Sequence, residues 1–528
     1  MRETTSNPLA TTDDRAAALA TEGGGRGAGP ERIAIVGGGI AGLACALAMQ
    51  EAAGDRQIEL FERDEVDTAL DPEAAFASWR RPGVSHLRHS HVFLARLYNL
   101  IRDRYPDLLR ELLAAGCREL RFAEGLPPAL RARYVPRRED DDFTILSSRR
   151  TTLELVMRRF VERRGGVRFH PGRTIRGVRL EPGPEGIARV AALRWSKAGE
   201  AAGDAQLHEQ EFDVVVDASG KSTRFPAWLG EQGVRSEQQS APAGILYFTR
   251  HYRLLEGRCE PTRGDLPGNG DLGYFKFGIF PADGGNFSVT VALPEEEVAL
   301  RRAVQTTEGF DTACRACPGA ARWIEADRAE PVSKVYGMGG LESRWISYRS
   351  EDGRPSVLGF FAVGDSAIRT NPLYGRGCSS GALQAHLLAE VLAEVGDPVL
   401  RAVRYAAAQE DEIRPHYRSM ARQDREAIRR AARLREGGTM RGLRQRLRRS
   451  FVEDGVLVAS RGSLTVLRAL MRGFHMLEDP ALALGDPRIL LRVLSFWVRP
   501  EWARQPLRAP PARPARHATF ALLGPSPG

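Results

Sequence analysis

The sequence predicts the α/β class: a parallel-sheet domain, a second β-sheet domain inserted into it, and a helical C-terminal extension. Three observations carry this. An apolar run at 33–36 meets Gly37-Gly38-Gly39-Ile40-Ala41-Gly42 and then an apolar helical stretch. Residues 241–293 alternate apolar and polar side chains at period two, and beyond 397 the period becomes helical.

Taken in order, residues 1–30 are rich in Thr, Ala and Gly without periodicity, which predicts a disordered tail. The strand at 33–36 is wholly apolar, as strands buried on both faces of a parallel sheet are. A helix from 43 and a strand at 57–63 complete a β-α-β unit. Residues 150–164 read as an amphipathic helix with Leu153, Val156, Met157 and Phe160 on one face. Strand-like runs follow at 167, 175, 188 and 213. Farther on, Asp283-Gly284-Gly285-Asn286 between two alternating segments signals a hairpin. A buried strand at 359–365 and a helix over 378–395 return to the first domain. Helices rich in arginine run to about 449, apolar ones to about 499, and a Pro-rich tail closes the chain. The expected division is 31–80, 145–235 and 340–396 for the parallel-sheet domain, and 81–144 and 236–339 for the inserted domain. Residues 397–503 form the helical region, and 504–528 the disordered tail.

Composition narrows the functional classes. With 42% hydrophobic residues the chain buries a sizeable core, which excludes global disorder. No uncharged apolar run approaches the ~20 residues of a membrane span, and the first residues lack the apolar core of a signal peptide. Six cysteines are too sparse for a disulfide framework, so the expected setting is a reduced cytoplasm, with peripheral membrane association open. The formal charge of +9 is almost entirely arginine, Lys197, Lys221, Lys276 and Lys334 being the only lysines. A modest excess over this length does not point to nucleic acid. It suits anionic small molecules, an acidic carrier protein or a lipid surface.

The glycine turn between strand and helix is the strongest local signal. Its glycines permit a tight turn and a close backbone approach to a pyrophosphate seated on the helix N-terminus. Glu62, closing the second strand, is placed to accept hydrogen bonds from an adenosine ribose. Gly268-Asn269-Gly270-Asp271-Leu272-Gly273 has the same spacing but no strand before it and no helix after it, and reads as a loop. The turn alone does not separate FAD from NAD. Downstream, a strand ends in Gly364-Asp365 and leads to Asn371-Pro372-Leu373-Tyr374-Gly375-Arg376-Gly377 and a helix. Asp365 at a strand end can hold ribityl hydroxyls, and a glycine loop opening a helix suits the anionic edge of a reduced flavin. His86, His89 and His91 lack ligand-spaced companions for a metal, and Cys314 and Cys317 read as structural. Tyr247, Phe248, Tyr274, Phe275, Phe277 and Phe280 wall a substrate pocket or form sheet core.

These motifs, with Asp217-Ala218-Ser219-Gly220-Lys221 between them, resemble the FAD-dependent monooxygenases of the p-hydroxybenzoate hydroxylase superfamily. Similarity is closest to the bacterial polyether-type epoxidases. It rests on Gly83-Val84-Ser85-His86-Leu87-Arg88-His89-Ser90-His91, Arg150-Thr151-Thr152-Leu153-Glu154, Ser343-Arg344-Trp345 and the late glycine loop, and spans about residues 31–395. The resemblance implies an FAD/NAD(P)-binding Rossmann-like domain and insertion of one oxygen atom, by epoxidation or hydroxylation, into a hydrophobic, secondary-metabolite-type substrate. A flavin C4a-hydroperoxide would carry the oxygen, with electrons from NAD(P)H or a separate flavin reductase. Gly37, Gly39, Gly42, Glu62 and Arg63 would hold the ADP half, Arg150 and Asp365 the ribityl and pyrophosphate groups, and Pro372, Gly375 and Gly377 the ring system. Arg88, His89 and His91 would border the reacting edge. Two alternatives share the architecture: a geranylgeranyl-reductase-like flavoprotein and a halogenase, although the latter's Trp-x-Trp-x-Ile-Pro motif is absent.

Overall fold

The computed structural model describes residues 29–52, 54–200, 206–263, 266–436, 442–508 and 514–523. The tail expected over 1–30 therefore lies, up to residue 28, outside the described residues. Eight elements build the first domain: β1 (Glu31–Val36), α1 (Ile40–Glu51), β2 (Arg56–Phe61), α2 (Arg150–Arg164), β3 (Val167–His170), β4 (Val214–Asp217), β5 (Phe360–Ala362) and α3 (Gly377–Glu394). The five strands form one sheet in the order β5-β4-β1-β2-β3, every pair parallel. The central strand β1 pairs Val36 with both Phe61 and Asp217, so the Gly37 turn, Glu62 and the Asp217 turn leave the sheet at the same edge. Ligands of open α/β sheets bind outside this edge, at the carboxyl ends of the strands.

Both sheet faces are covered. On one face Leu43, Leu47, Leu153, Met157, Ala385 and Leu388 from α1, α2 and α3 pack beneath Ile33 and Ile35. Fully burying such a leucine is worth about 1.5–3 kcal/mol, an upper bound because denatured chains are themselves partly compact. On the other face a three-stranded antiparallel sheet (Arg173–Pro182, Ala188–Lys197, His208–Glu211) brings Val178, Val190 and Leu193 against Ala34 and Val215. Part of the segment 81–144, expected with the inserted domain, packs on the α1 face instead. Its helices Ala95–Arg104 and Pro106–Ala114 add Leu97, Ile101, Leu108 and Leu112 to the same core as α1.

The inserted domain centres on Ile245–Leu254, which pairs antiparallel with Asn286–Pro294, itself paired with Lys276–Pro281 across the expected hairpin. The segment read as a loop at 268–273 contains a short strand, Asn269–Asp271, at the outer edge of this sheet. Alternation along Ile245–Leu254 sends Phe248 and Tyr247 to opposite faces. Phe248, Tyr274, Phe275 and Phe277 join a core with Phe310, Cys314 and Cys317, whereas Tyr247 faces the opposite way and its hydroxyl donates to Asn371 at 2.9 Å. Burial pushes the Cys317 thiol up to about 12, as befits a structural cysteine.

The Pro-rich tail departs from expectation. Residues Arg516–Leu523 form a helix, with Phe520 and Leu523 against the core of the inserted sheet. The Tyr274 hydroxyl meets Thr519 at 2.6 Å and the Pro514 carbonyl at 2.8 Å, and Arg516 pairs with the buried Glu297 at 2.9 Å. Prolines mask a segment whose few apolar residues recur at helical spacing, and a single docked turn suffices to order them. The helical region includes Pro398–Glu412, Arg414–Arg435, Leu464–Phe474 and Pro487–Trp497. It is locked to the segment 122–143 by Arg468, whose guanidinium donates to both oxygens of the buried Asp140 at 2.7 and 2.8 Å.

Candidate active site

The glycine turn is built by exclusion of side chains. Gly37 has φ +107°, and a Cβ there would lie 2.5 Å from the Ala218 carbonyl oxygen of the turn after β4. A Cβ on Gly42 would collide with the Gly37 carbonyl. Gly39 differs: its backbone is extended, and the nearest atom to a Cβ is Arg150 Nη2 at 3.6 Å. Gly39 caps α1 without a side-chain hydrogen bond, so the first-turn N–H groups of α1 have no side-chain acceptor from the cap.

A second helix start lies beside the first. α3 begins at Gly377 and is likewise uncapped by a side chain. Cβ atoms on Gly364 and Gly381 would sit 2.8 and 3.2 Å from Ala41 Cβ, so these glycines let the starts of α1 and α3 touch. Two positive dipole ends thus converge on one region. Asp365 lies there with no described donor on its carboxylate. Burial raises its pKa, while Arg150, Arg369, Arg344 and Lys221 pull it down. Gly377 is at this carboxylate too, its Cβ position 3.7 Å from Oδ1.

Arg150, buried at the start of α2, joins the pieces. Its Nη1 donates to His86 Nε2 at 2.6 Å and its Nε to Glu154 at 3.3 Å. The loop carrying His86 also carries His89 and His91. It is fastened to the inserted sheet by a run of hydroxyls: His89 Nδ1 to Thr249 at 2.9 Å, Thr249 to Thr290 at 2.7 Å, Thr290 to Ser90 at 2.7 Å and Ser90 to Ser288 at 2.6 Å. His91 Nδ1 donates to the His89 carbonyl at 2.9 Å, which leaves its Nε2 unprotonated when the ring is neutral. Burial first, then Arg150, pushes His91 down to about 3, and burial pushes His89 to about 4. His86 is lowered in the same way. These imidazoles are neutral near pH 7, so positive charge beside His86 and His91 comes from Arg150, with Lys221 adding to it at His86. Arg88 does not join them: its guanidinium turns to the Trp79 carbonyl at 2.9 Å and lies over the Phe76 ring.

Glu62 is buried where expected, but its oxygens are engaged by the protein. One accepts from Gly38 N–H at 2.9 Å and from Arg81, the other from Asp64 N–H at 2.9 Å. Arg81 also pairs with Glu154 and, at 3.6 Å, with Asp64. Arg63 is half-exposed and, among the described residues, pairs only with Asp64, at 3.3 Å. In the late loop Pro372 is exposed, and Gly375 adopts φ +64° with a Cβ position 3.4 Å from the Val92 carbonyl. This loop is held from an unexpected quarter. Asp424, buried in the arginine-rich helix Arg414–Arg435, accepts from Asn371 Nδ2 at 2.8 Å and from the Tyr374 hydroxyl at 3.0 Å. Asn371 Oδ1 in turn accepts from Leu373 N–H at 3.0 Å.

Sequence reasoning thus missed Arg81, His86 as the partner of Arg150, and Asp424. An acidic residue at helical spacing with Tyr417, Met420, Ala421 and Ala431, on the apolar side of the helix, was the available sign for Asp424. The arrangement offers donors and dipole ends for a pyrophosphate, an acceptor without a protein donor for hydroxyls, and open space at Gly39. A dinucleotide fits these features.

Comparison with known proteins agrees on the fold. The NAD(P)-binding Rossmann-like domain family matches residues 35–103. Protein Rv3254 of Mycobacterium tuberculosis is 27% identical over 379 residues, covering 69% of this chain and 73% of its own length. Kynurenine 3-monooxygenase of Xanthomonas oryzae pv. oryzae is 25% identical over 403 residues, covering 72% of this chain and 76% of its own. The flavin-dependent brominase Bmp2 superposes with a TM-score of 0.57 at 15% identity, over 87% of this chain and 98% of its own. The fold is therefore the Rossmann-like α/β architecture expected, with its inserted sheet and helical C-terminal region.

Proposed function

We propose that the chain is an FAD-dependent monooxygenase that takes electrons from NAD(P)H and places one oxygen atom in a hydrophobic small molecule by epoxidation or hydroxylation. The observation that supports this best is the pairing of two uncapped helix starts, at Gly39 and Gly377, around Arg150 and the donor-free carboxylate of Asp365. FAD when bound supplies the redox chemistry, activating O2 after reduction. The reaction balances as substrate, O2, NAD(P)H and a proton giving oxygenated substrate, NAD(P)+ and water.

The protein's own contributions follow from its geometry. The N–H groups of α1 and the Arg150 guanidinium would hold the pyrophosphate, and Asp365 would accept from the polyol hydroxyls. The Asn371–Gly375 loop, braced by Asp424 and Tyr247, would hold the ring system. Burial of Arg150 would strengthen its attraction for that pyrophosphate. The neutral imidazoles of His89 and His91 line the 86–91 loop without adding charge. No general acid–base pair is required for oxygen transfer to an alkene, so positioning and exclusion of water carry the step. An acidic carrier protein or lipid surface would meet the exposed Arg422, Arg425 and Arg429 of the C-terminal helix.

The test is oxidation of NAD(P)H by the FAD-loaded protein with candidate alkenes and aromatic compounds, with the product mass measured. A gain of one oxygen that requires O2 supports the reading. Product formed without O2 assigns a reductase, and a requirement for bromide or chloride assigns a halogenase.

A further inference from the structure

A cavity of about 450 Å³ lies between the helix Pro72–Ser78, the 80–88 segment and the inserted sheet, and Arg150 does not line it. That volume is within the ~300–1,000 Å³ of small-molecule pockets. Its lining contains Arg80, Arg88, Arg149, Arg253 and Lys334 but only one carboxylate, Glu73. Arg149 is occupied by Asp283 and Glu73, and Arg253 reaches Glu73 at 3.3 Å. The other three cations have no carboxylate within 4.0 Å among the described residues. Arg80 and Arg88 donate to backbone carbonyls of 77–79, and Lys334 stands 5.9 Å from the Tyr336 ring centre.

These three cations line one cavity rather than being dispersed over the surface. Three like charges, two from the 80–88 segment and one at Lys334, raise the local potential and remain together only at an electrostatic cost. Burial lowers Arg88 from the ordinary arginine value, with the Tyr336 hydroxyl opposing and Arg80 adding to the effect. A single carboxylate would be satisfied by one bidentate arginine. A phosphomonoester, with charge of about −1.5 to −2 and three acceptor oxygens, matches several cations at once. Phe76 and Tyr336 supply the apolar and aromatic wall against which the organic part of such a ligand packs.

We infer that this cavity is a binding site for a phosphomonoester-bearing organic ligand, held by Arg80, Arg88 and Lys334 and walled by Phe76 and Tyr336. Two sources share that chemistry: the 2′-phosphate of a nicotinamide dinucleotide phosphate, and the 3′-phosphate of a coenzyme A-linked substrate. The site stands apart from the dinucleotide site at Gly39, so binding is measured without turnover.

The experiment is calorimetric titration of the full chain with NADP+ against NAD+, and with coenzyme A against its 3′-dephospho form, repeated on the Arg80→Ala/Lys334→Ala variant. The expected result is at least tenfold tighter binding of the phosphorylated member of one pair, weakening with added salt, with the variant losing that preference. Unchanged FAD content and melting temperature in the variant show that the loss is local. A preference in the nicotinamide pair assigns the reductant's phosphate, and one in the coenzyme pair assigns a substrate handle. Equal binding within both pairs, or a preference that survives in the variant, overturns the site. Neither measurement depends on FAD retention, so failure of the flavin reading leaves the cavity's assignment intact.

Discussion

Substituting alanine at Gly39 and at Gly37 separates the fold from the ligand within one turn. At Gly39 the backbone is extended, and a Cβ finds nothing nearer than Arg150 Nη2 at 3.6 Å, an ordinary contact. Gly39→Ala should therefore leave the flavin-free protein within about 1 kcal/mol of wild type, with a small gain from the stiffer unfolded chain. The added methyl projects toward the space before Arg150, where the pyrophosphate is proposed to lie. Overpacking of this kind costs about 1–3 kcal/mol, which corresponds to a roughly 5- to 150-fold rise in the FAD dissociation constant. Gly37→Ala meets φ +107° and a backbone oxygen at 2.5 Å, so the turn must open, at a cost of about 3 kcal/mol or more in stability. Urea unfolding of the flavin-free proteins and fluorescence titration with FAD give both numbers. If Gly39→Ala binds FAD within twofold of wild type while folding normally, the space before Arg150 is not the pyrophosphate's and the argument fails.

Asp365→Asn should weaken FAD binding by about 1–3 kcal/mol yet leave the flavin-free protein as stable or more so, since it removes a buried charge held at a raised pKa. Lower flavin-free stability with unchanged affinity would make Asp365 a turn residue only. Asp424→Ala leaves Asn371 Nδ2 and the Tyr374 hydroxyl without their acceptor and should cost about 2–4 kcal/mol, whereas Asp424→Asn keeps an acceptor and should cost less than half of that; equal losses in urea unfolding would refute the hydrogen-bond account. Seven histidines, five of them buried (His89, His251, His386, His416 and His475) and two partly buried (His86 and His91), are held below their unfolded value of 6.5. Between pH 6.5 and about 4 the unfolded chain therefore binds more protons, so stability should fall as pH falls, by up to about 1.4 kcal/mol per pH unit per histidine. A flat unfolding free energy from pH 7 to 5 would contradict their burial. Truncation after residue 508 should lower the melting temperature by stripping Thr519 and Phe520 from the inserted sheet, and an unchanged value would show that the docked helix contributes nothing.

Local pattern was enough for the elements whose environment is uniform. The apolar run of β1, the glycines at 37 and 42, the helix Arg150–Arg164 and the hairpin at 283–286 all obey short-range steric and periodic rules, and each stands where the sequence places it. The same holds for Asp365 and Gly377, because a strand end followed by a helix start is itself a local motif. Tertiary structure decided everything that depends on which surfaces meet. Arg88 and His91 are three positions apart on one loop, yet one side chain turns to the Phe76 cavity and the other toward Arg150, according to how residues 86–91 lie across the inserted sheet. The charge state of the histidines was hidden for the same reason: a pKa is set by burial and by neighbours distant in sequence. Asp424 braces a loop some fifty residues upstream, a separation of 53 positions from Asn371 that no periodicity encodes. Chain-local sterics fix the turn that would cradle a dinucleotide, whereas the groups around it are chosen by packing between segments hundreds of residues apart.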